Sequence, residues 1–256
     1  MQLLLNTTKT MDLSVQAPAR PAATDPVFLK EARALAHQLK GLDRADLARL
    51  MGLSDKLADE TRAATTLWGR KASPALPAIF AFTGLVYKYL DAPALTTAQL
   101  RDAQQRVHIL SGLYGVLRPM DLVESYRLEM GSKLAPKNAK NLVEFWKDRL
   151  TAQLNAGLKD GEPVLSVAAQ EYTKAIDLKK LKGPLIPLVF KEEKPDGSLK
   201  TVAVHSKMAR GALARFMLTA KAKKPADLMA FGELGWEAAT EPPDEGPWLF
   251  TRPVRG

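Results

Sequence analysis

Twenty-one residues, SGLYGVLRPMDLVESYRLEMG from Ser111 to Gly131, bring together Arg118, Asp121, Tyr126, Arg127 and Glu129 among three glycines. Arginine is a fixed cation with a fork of N–H donors, a carboxylate can serve as acid or base, and a phenol can orient either one. Just before the stretch, Val107-His108-Ile109-Leu110 reads as a short buried strand. A strand that empties into a glycine-rich turn lets a ligand approach the backbone closely, and loops held by a scaffold often carry function. The alternative reading is a crossover loop whose arginines and acids pair with one another.

A second group lies near the start. Gln2–Leu5 reads as an apolar strand running into Asn6-Thr7-Thr8-Lys9-Thr10-Met11-Asp12. Backbone N–H groups, hydroxyls and the Lys9 ammonium could hold an anion there, with Asp12 as a nearby acid or base. An ordinary polar turn is the competing reading. The glycines of a P-loop are absent.

Two helical stretches offer phosphate contacts. Residues 43–67 read as two helices joined at Gly52-Leu53, the layout of a helix-hairpin-helix, in which Gly52, Ser54 and Lys56 would face a phosphate at the second helix N-terminus. The same pattern fits a plain αα-hairpin with Ser54 as N-cap. Farther on, Ser206 is expected to cap a helix from Lys207 to about Lys221. Its apolar arc is Ala209, Ala212, Leu213, Phe216, Met217 and Ala220, and Lys207, Arg210, Arg215 and Lys221 face the other way. An all-cationic front suits a phosphate backbone, whereas a solvated face more often mixes in acids.

The elements that must position these groups follow from pattern and punctuation. Asp25-Pro26 opens a helix with Phe28, Ala32, Leu35, Ala36 and Leu39 inward. Pro77–Phe82 reads as a buried strand, Leu85–Leu90 as a short helix, and Thr96 caps a helix through Gln105. A long helix begins at Asn138 or Asn141, and Val164–Ala168 is another strand. Leu185–Phe190 and Leu199–His205 flank the turn Lys194-Pro195-Asp196-Gly197 as a hairpin, and Trp248–Thr251 is a last strand.

Composition narrows the class. The chain has 256 residues, no cysteine and a net charge of +9. Thiol peroxidase chemistry, disulfides and thiolate metal sites are therefore excluded. His37, His108 and His205 show no ligand spacing, and neither a metal nor a cofactor is expected. No apolar run approaches the roughly 20 residues of a membrane span, and Met1–Asp12 lacks the basic leader of a signal peptide, so no membrane contact and a cytoplasmic address are expected. Residues 171–224 hold 13 bases and 5 acids, whereas 225–256 hold 2 bases and 6 acids. The positive charge is thus concentrated in one segment, which favours a polyanionic partner.

Together these stretches resemble the YaaA family of peroxide stress resistance proteins over nearly the whole chain. The most specific matches are SGLYGVLRPMDL and YRLEMG within Ser111–Gly131. Lys9-Thr10-Met11-Asp12, Ser54–Ala58, Ala81-Phe82 with Gly84 and Val86-Tyr87, Glu171-Tyr172 and Lys207–Phe216 support them. The resemblance implies a single α+β domain over residues 1–256, with a mixed sheet or distorted β-barrel wrapped by helices (the cantaloupe fold). It also implies a cytoplasmic role in limiting damage from free intracellular iron, with DNA bound through a helix-hairpin-helix and a basic cleft. Two departures stand out. The usual Ser-Pro-Ala-Lys is Asn6-Thr7-Thr8-Lys9 here, and Gly-Asp-Val-Tyr is Gly84-Leu85-Val86-Tyr87, which removes a carboxylate.

Two functions remain open from the sequence. One is sequence-independent binding of double-stranded DNA through Gly52, Ser54, Lys56, Lys207, Arg210 and Arg215. The other is an enzyme acting on an anionic small molecule, phosphorylated or nucleobase-like, in a pocket of Lys9, Arg118, Arg127 and Glu129, with Tyr126 orienting and Asp12 or Glu129 as acid or base.

Overall fold

The computed structural model describes residues 1–19 and 21–254. Its strands are β1 (Gln2–Asn6), β2 (Ala75–Pro77), β3 (Val107–Ser111), β4 (Gly115–Leu117), β5 (Leu122–Glu124), β6 (Val164–Ser166), β7 (Leu185–Glu193), β8 (Leu199–Lys200), β9 (Glu237–Ala238) and β10 (Trp248–Pro253). The α-helices are α1 (Leu29–Lys40), α2 (Arg44–Met51), α3 (Asp55–Leu67), α4 (Ala78–Ala81), α5 (Leu85–Leu90), α6 (Thr97–Arg106), α7 (Leu142–Gly157), α8 (Gln170–Thr173) and α9 (Ala203–Thr219).

Eight strands form one mixed sheet in the order β4-β3-β1-β6-β7-β10-β9, with β8 paired to β7. Its centre is parallel: β3, β6 and β10 join β1 and β7 in parallel ladders, and the short strands β4, β8 and β9 are antiparallel. Strand β7 pairs along 185–187 with β6 and along 188–193 with β10, which links the two halves. The sheet ends at β4 and β9 and does not close, so the fold is the open mixed sheet flanked by helices and not the barrel alternative. Short edge strands terminate the hydrogen-bonding ladder there. β1 is covered on both faces, which is why Leu3, Leu4 and Leu5 form an unbroken apolar run with no exposed surface.

Several local expectations change. The run Pro77–Phe82 is not a strand. β2 ends at Pro77 after pairing with β5, and the Ala78 and Ile79 amides then turn to the carbonyls of Asp121 and Pro119 as α4 begins. A short apolar run carries no period that separates strand from helix. The hairpin after β7 is shorter than expected, because α9 begins at Ala203 and takes in His205 and Ser206. α9 also stops at Thr219, two residues before Lys221. The first helix begins at Leu29 rather than at Pro26.

The closest helix pair is α5 with α9. A Cβ on Gly211 would stand 2.1 Å from the Val86 carbonyl oxygen and 2.9 Å from the Leu90 nitrogen, so the two backbones touch where this side chain is missing. Gly211→Ala is expected to destabilise the fold by about 1–3 kcal/mol through overpacking, even though alanine favours a free helix by about 1 kcal/mol. Urea unfolding reads the sign; a variant as stable as the parent would mean that the helices do not pack this closely.

Candidate functional site

The parallel strands β3, β1 and β6 end on the same side of the sheet, with β1 between the other two. The chain leaves β1 for one neighbour and later returns to the other, so this is a switch point, where ligands of open α/β sheets bind outside the carboxyl ends of strands. Asn6 ties the strand ends together. Its Oδ1 accepts from the Ala169 amide at 2.8 Å, and its carbonyl accepts from the Tyr87 hydroxyl at 3.2 Å. Thr8 continues the turn by donating to the Thr83 carbonyl, next to Gly84.

A crevice of about 440 Å³ opens above these ends. Its walls come from Asn6–Thr10 at the end of β1, Gly84–Val86 at the start of α5, Glu129, Ala169 and Glu171 at the start of α8, and Lys207 and Arg210 on α9. Lys9 Nζ lies 3.0 Å from Glu129 Oε2. Arg127 donates to the Lys9 carbonyl at 3.3 Å and faces a second cleft of about 200 Å³, where Lys9 and Thr10 meet Leu57, Glu60, Thr61 and Ala64 of α3. The two clefts share Lys9 and Thr10, so a groove runs from α3 to α9. Its lining mixes four cations (Lys9, Arg127, Lys207, Arg210) with three carboxylates (Glu60, Glu129, Glu171).

The tyrosines behind the groove are held un-ionised. Tyr126 is 2.6 Å from Ser111 Oγ and lies edge-on to Tyr114, and burial pushes its hydroxyl far above the ordinary phenol range. Tyr172 faces Thr7 at 3.4 Å, and burial pushes it up to about 12. These phenols can donate hydrogen bonds but cannot act as bases near neutrality. Glu171 is held above the usual carboxylate range, first by burial and then by the charge of Glu129, with Lys9 opposing both. It was not singled out as a site residue from the sequence, because only the pairing of β6 with β1 brings it beside Lys9. The Glu171-Tyr172 match was the one available signal.

Not all the expected residues meet. Arg118 follows β4, which runs antiparallel to β3, and so lies at the opposite end of that strand beside His108. Its guanidinium holds buried Asp121 at 3.1 and 3.2 Å, and Asp121 also accepts from Thr24 at 2.6 Å. Arg118 therefore pins a loop and lies outside both clefts. Asp12 is exposed and accepts from the Ser14 amide and hydroxyl at 2.9 and 2.7 Å, which lowers its pKa. Arg215 turns away to Glu233 at 2.6 Å.

The α2–α3 hairpin forms, with Gly52 left-handed at φ +63 and Ser54 extended at the N-cap without a capping side-chain bond. Lys56 is exposed on its first turn. Residues 43–60 hold five acids against three bases, and Arg44 is taken up by Asp55 and Asp59 at 3.0 and 2.5 Å. Among the described residues no group of three His, Asp or Glu is placed to hold a metal.

The fold and crevice define an open α/β-sheet protein with a ligand-sized site at a topological switch point. The chain belongs to the family described as peroxide stress protein YaaA, which matches residues 1–241. It is 41% identical over 257 residues to a UPF0246 protein of Dinoroseobacter shibae, covering 99% of this chain and 95% of that one. A UPF0246 protein of Flavobacterium johnsoniae is 38% identical, covering 98% of this chain and 100% of that relative. One of Tolumonas auensis is 42% identical over 90% of each chain. No helix among the described residues is long and apolar enough to cross a membrane.

Two titrations check these environments. By carboxyl NMR, Glu129→Gln is expected to lower the Glu171 pKa and Lys9→Met to raise it further; shifts of the same sign in both would refute the arrangement. His108 bonds Gln2 at 3.0 Å, and burial, then the Arg118 charge, lowers its pKa from 6.5 to about 4. The unfolded chain takes up this proton first, so the contribution is complete above pH about 6.5 and lost as pH falls through about 4, at most about 3 kcal/mol. Urea unfolding of His108→Asn should show a flatter stability profile between pH 6.5 and 5; an unchanged slope would contradict it.

Proposed function

We propose that this peroxide stress family member is a cytoplasmic protein that binds double-stranded DNA without sequence preference and helps limit damage from free iron. The observation that carries the DNA reading is the groove shared at Lys9, where Lys9, Arg127, Lys207 and Arg210 line one path from α3 to α9. Cations of this kind hold phosphate oxygens and fix register, and they read no bases. The hairpin contributes less than its motif suggests, because its acids outnumber its bases and take up Arg44 and Arg49, leaving exposed Lys56 without an ion pair among the described residues. Arg215 is left as a brace for the Glu233 loop.

The peroxide role follows the family description, and the iron role rests on the family resemblance alone. With no cysteine in the chain, protection by binding fits better than reduction of peroxide by a thiol.

Fluorescence anisotropy with duplexes of unrelated sequence tests the reading. The slope of log affinity against log salt is expected near −3 to −4 for about four neutralised phosphates, shrinking by about 2 in Arg127→Gln/Lys207→Gln. Equal weakening across sequences supports it. Salt-insensitive binding, or a double variant with unchanged affinity, would sink it.

A further inference from the structure

Arg210 differs from the seven arginines that form ion pairs among the described residues, and from Arg62 and Arg127, which donate to backbone carbonyls. Arg44, Arg49, Arg106, Arg118, Arg149, Arg215 and Arg252 each reach a carboxylate. Arg210 is half-buried, no carboxylate lies within ion-pair distance of it among the described residues, and its Nε is sealed from solvent without a hydrogen-bond partner. Burying a guanidinium in this way is unfavourable unless something else meets it. The position is also fixed. The neighbouring Gly211 lies against the Val86 carbonyl and the Leu90 nitrogen, so the α9 backbone at Arg210 has no room to slide along α5. Lys207, one turn earlier on the same wall of the crevice, likewise has no ion pair among the described residues.

Glu129 and Glu171 line the same crevice, and the mixture of cations and carboxylates selects the ligand. A nucleic-acid strand bears one negative charge per nucleotide. A strand threaded into the crevice, unlike a duplex held across its mouth, would therefore bring a second phosphate toward these two carboxylates. A molecule with a single phosphate avoids that repulsion. If its other end bears hydroxyl or amino donors, the carboxylates become acceptors for it. Leu85, Val86 and Ala169 in the same lining give an uncharged body a place to lie, and about 440 Å³ is the size of a small-molecule site.

We propose that the crevice binds a phosphate monoester, its phosphate on Arg210 and Lys207 and the hydroxyl or amino donors of its body on Glu129 and Glu171. The ester is a free nucleoside or sugar monophosphate, or the phosphorylated end of a DNA strand; both present the same group to Arg210. The inference rests on the crevice cations that also serve the duplex reading, and it does not require duplex binding.

Isothermal titration of the full chain with inorganic phosphate, ribose 5-phosphate, adenosine monophosphate and adenosine tests it, alongside a single strand with and without a 5′-phosphate. The two phosphate esters are expected to bind more tightly than inorganic phosphate, and adenosine to give no heat. Arg210→Gln and Lys207→Gln should each weaken the esters about tenfold, about 1.4 kcal/mol. Lys207 is exposed, so its variant keeps the test open if Arg210→Gln fails to fold. A gain from the 5′-phosphate on the strand, lost in the same variants, assigns the strand end; equal binding of both strands with tight ester binding assigns a free small molecule. No ester binding at millimolar concentration, or ester affinity unchanged in both variants, overturns the inference. Duplex binding without ester binding removes this inference alone, and ester binding without duplex binding removes the duplex reading alone.

Discussion

The functional side of the molecule depends on the parallel pairing of β1 with β3 and β6. A strand with neighbours on both edges and helices on both faces has no freedom of register, because its backbone groups and its side chains are both committed. Leu3, Leu4 and Leu5 fill that role without exposed surface. The chain can change direction only where the ladder ends, at Asn6, and Asn6 then spends its side chain on the Ala169 amide of the β6 loop. Lys9 and Glu171, 162 residues apart in sequence, are brought to one crevice by that tie, the β1–β6 ladder and the Thr7–Tyr172 contact.

Charge is distributed by the same logic. Several arginines of this basic chain are answered locally: Arg44 by α3, Arg118 by Asp121, Arg215 by Glu233, and Arg252 by buried Glu192. Net charge therefore says little about where an anion would bind. What distinguishes the crevice is that Arg210, half-buried with its Nε unpartnered, shares one lining with Lys207, Glu129 and Glu171. Such a site discriminates among anions by shape and by where their donors fall, in addition to charge.

Much of the fold was legible. The apolar runs at 2–5, 107–110 and 164–168 became the central parallel strands, Thr96 and Asn141 cap their helices, and the family pattern within 111–131 identified the group. The misreadings have one cause. Pro77–Phe82 and Leu199–His205 are short stretches whose apolar residues suit strand or helix; bonds to the distant 119–121 loop decided the first, and the start of α9 at Ala203 took over the second. The site was half legible: Lys9, Arg127, Glu129, Lys207 and Arg210 were named and do line the groove, but they had been assigned to two separate functions.

By itself the sequence determined the chemistry available: no thiol, no clustered histidines, a basic segment at 171–224, and a family signature strong enough to place the chain. Those are properties of residue types and of local order, which survive without a fold. Only the tertiary structure decided which charges face each other. The turn at Gly115 reverses β4 against β3 and carries Arg118 to the far end of the sheet. The contact at Gly211 seats α9 on α5 and holds Arg210 in the crevice lined by Asn6–Thr10. Electrostatic interaction depends on separation in space, and separation along the chain does not fix it.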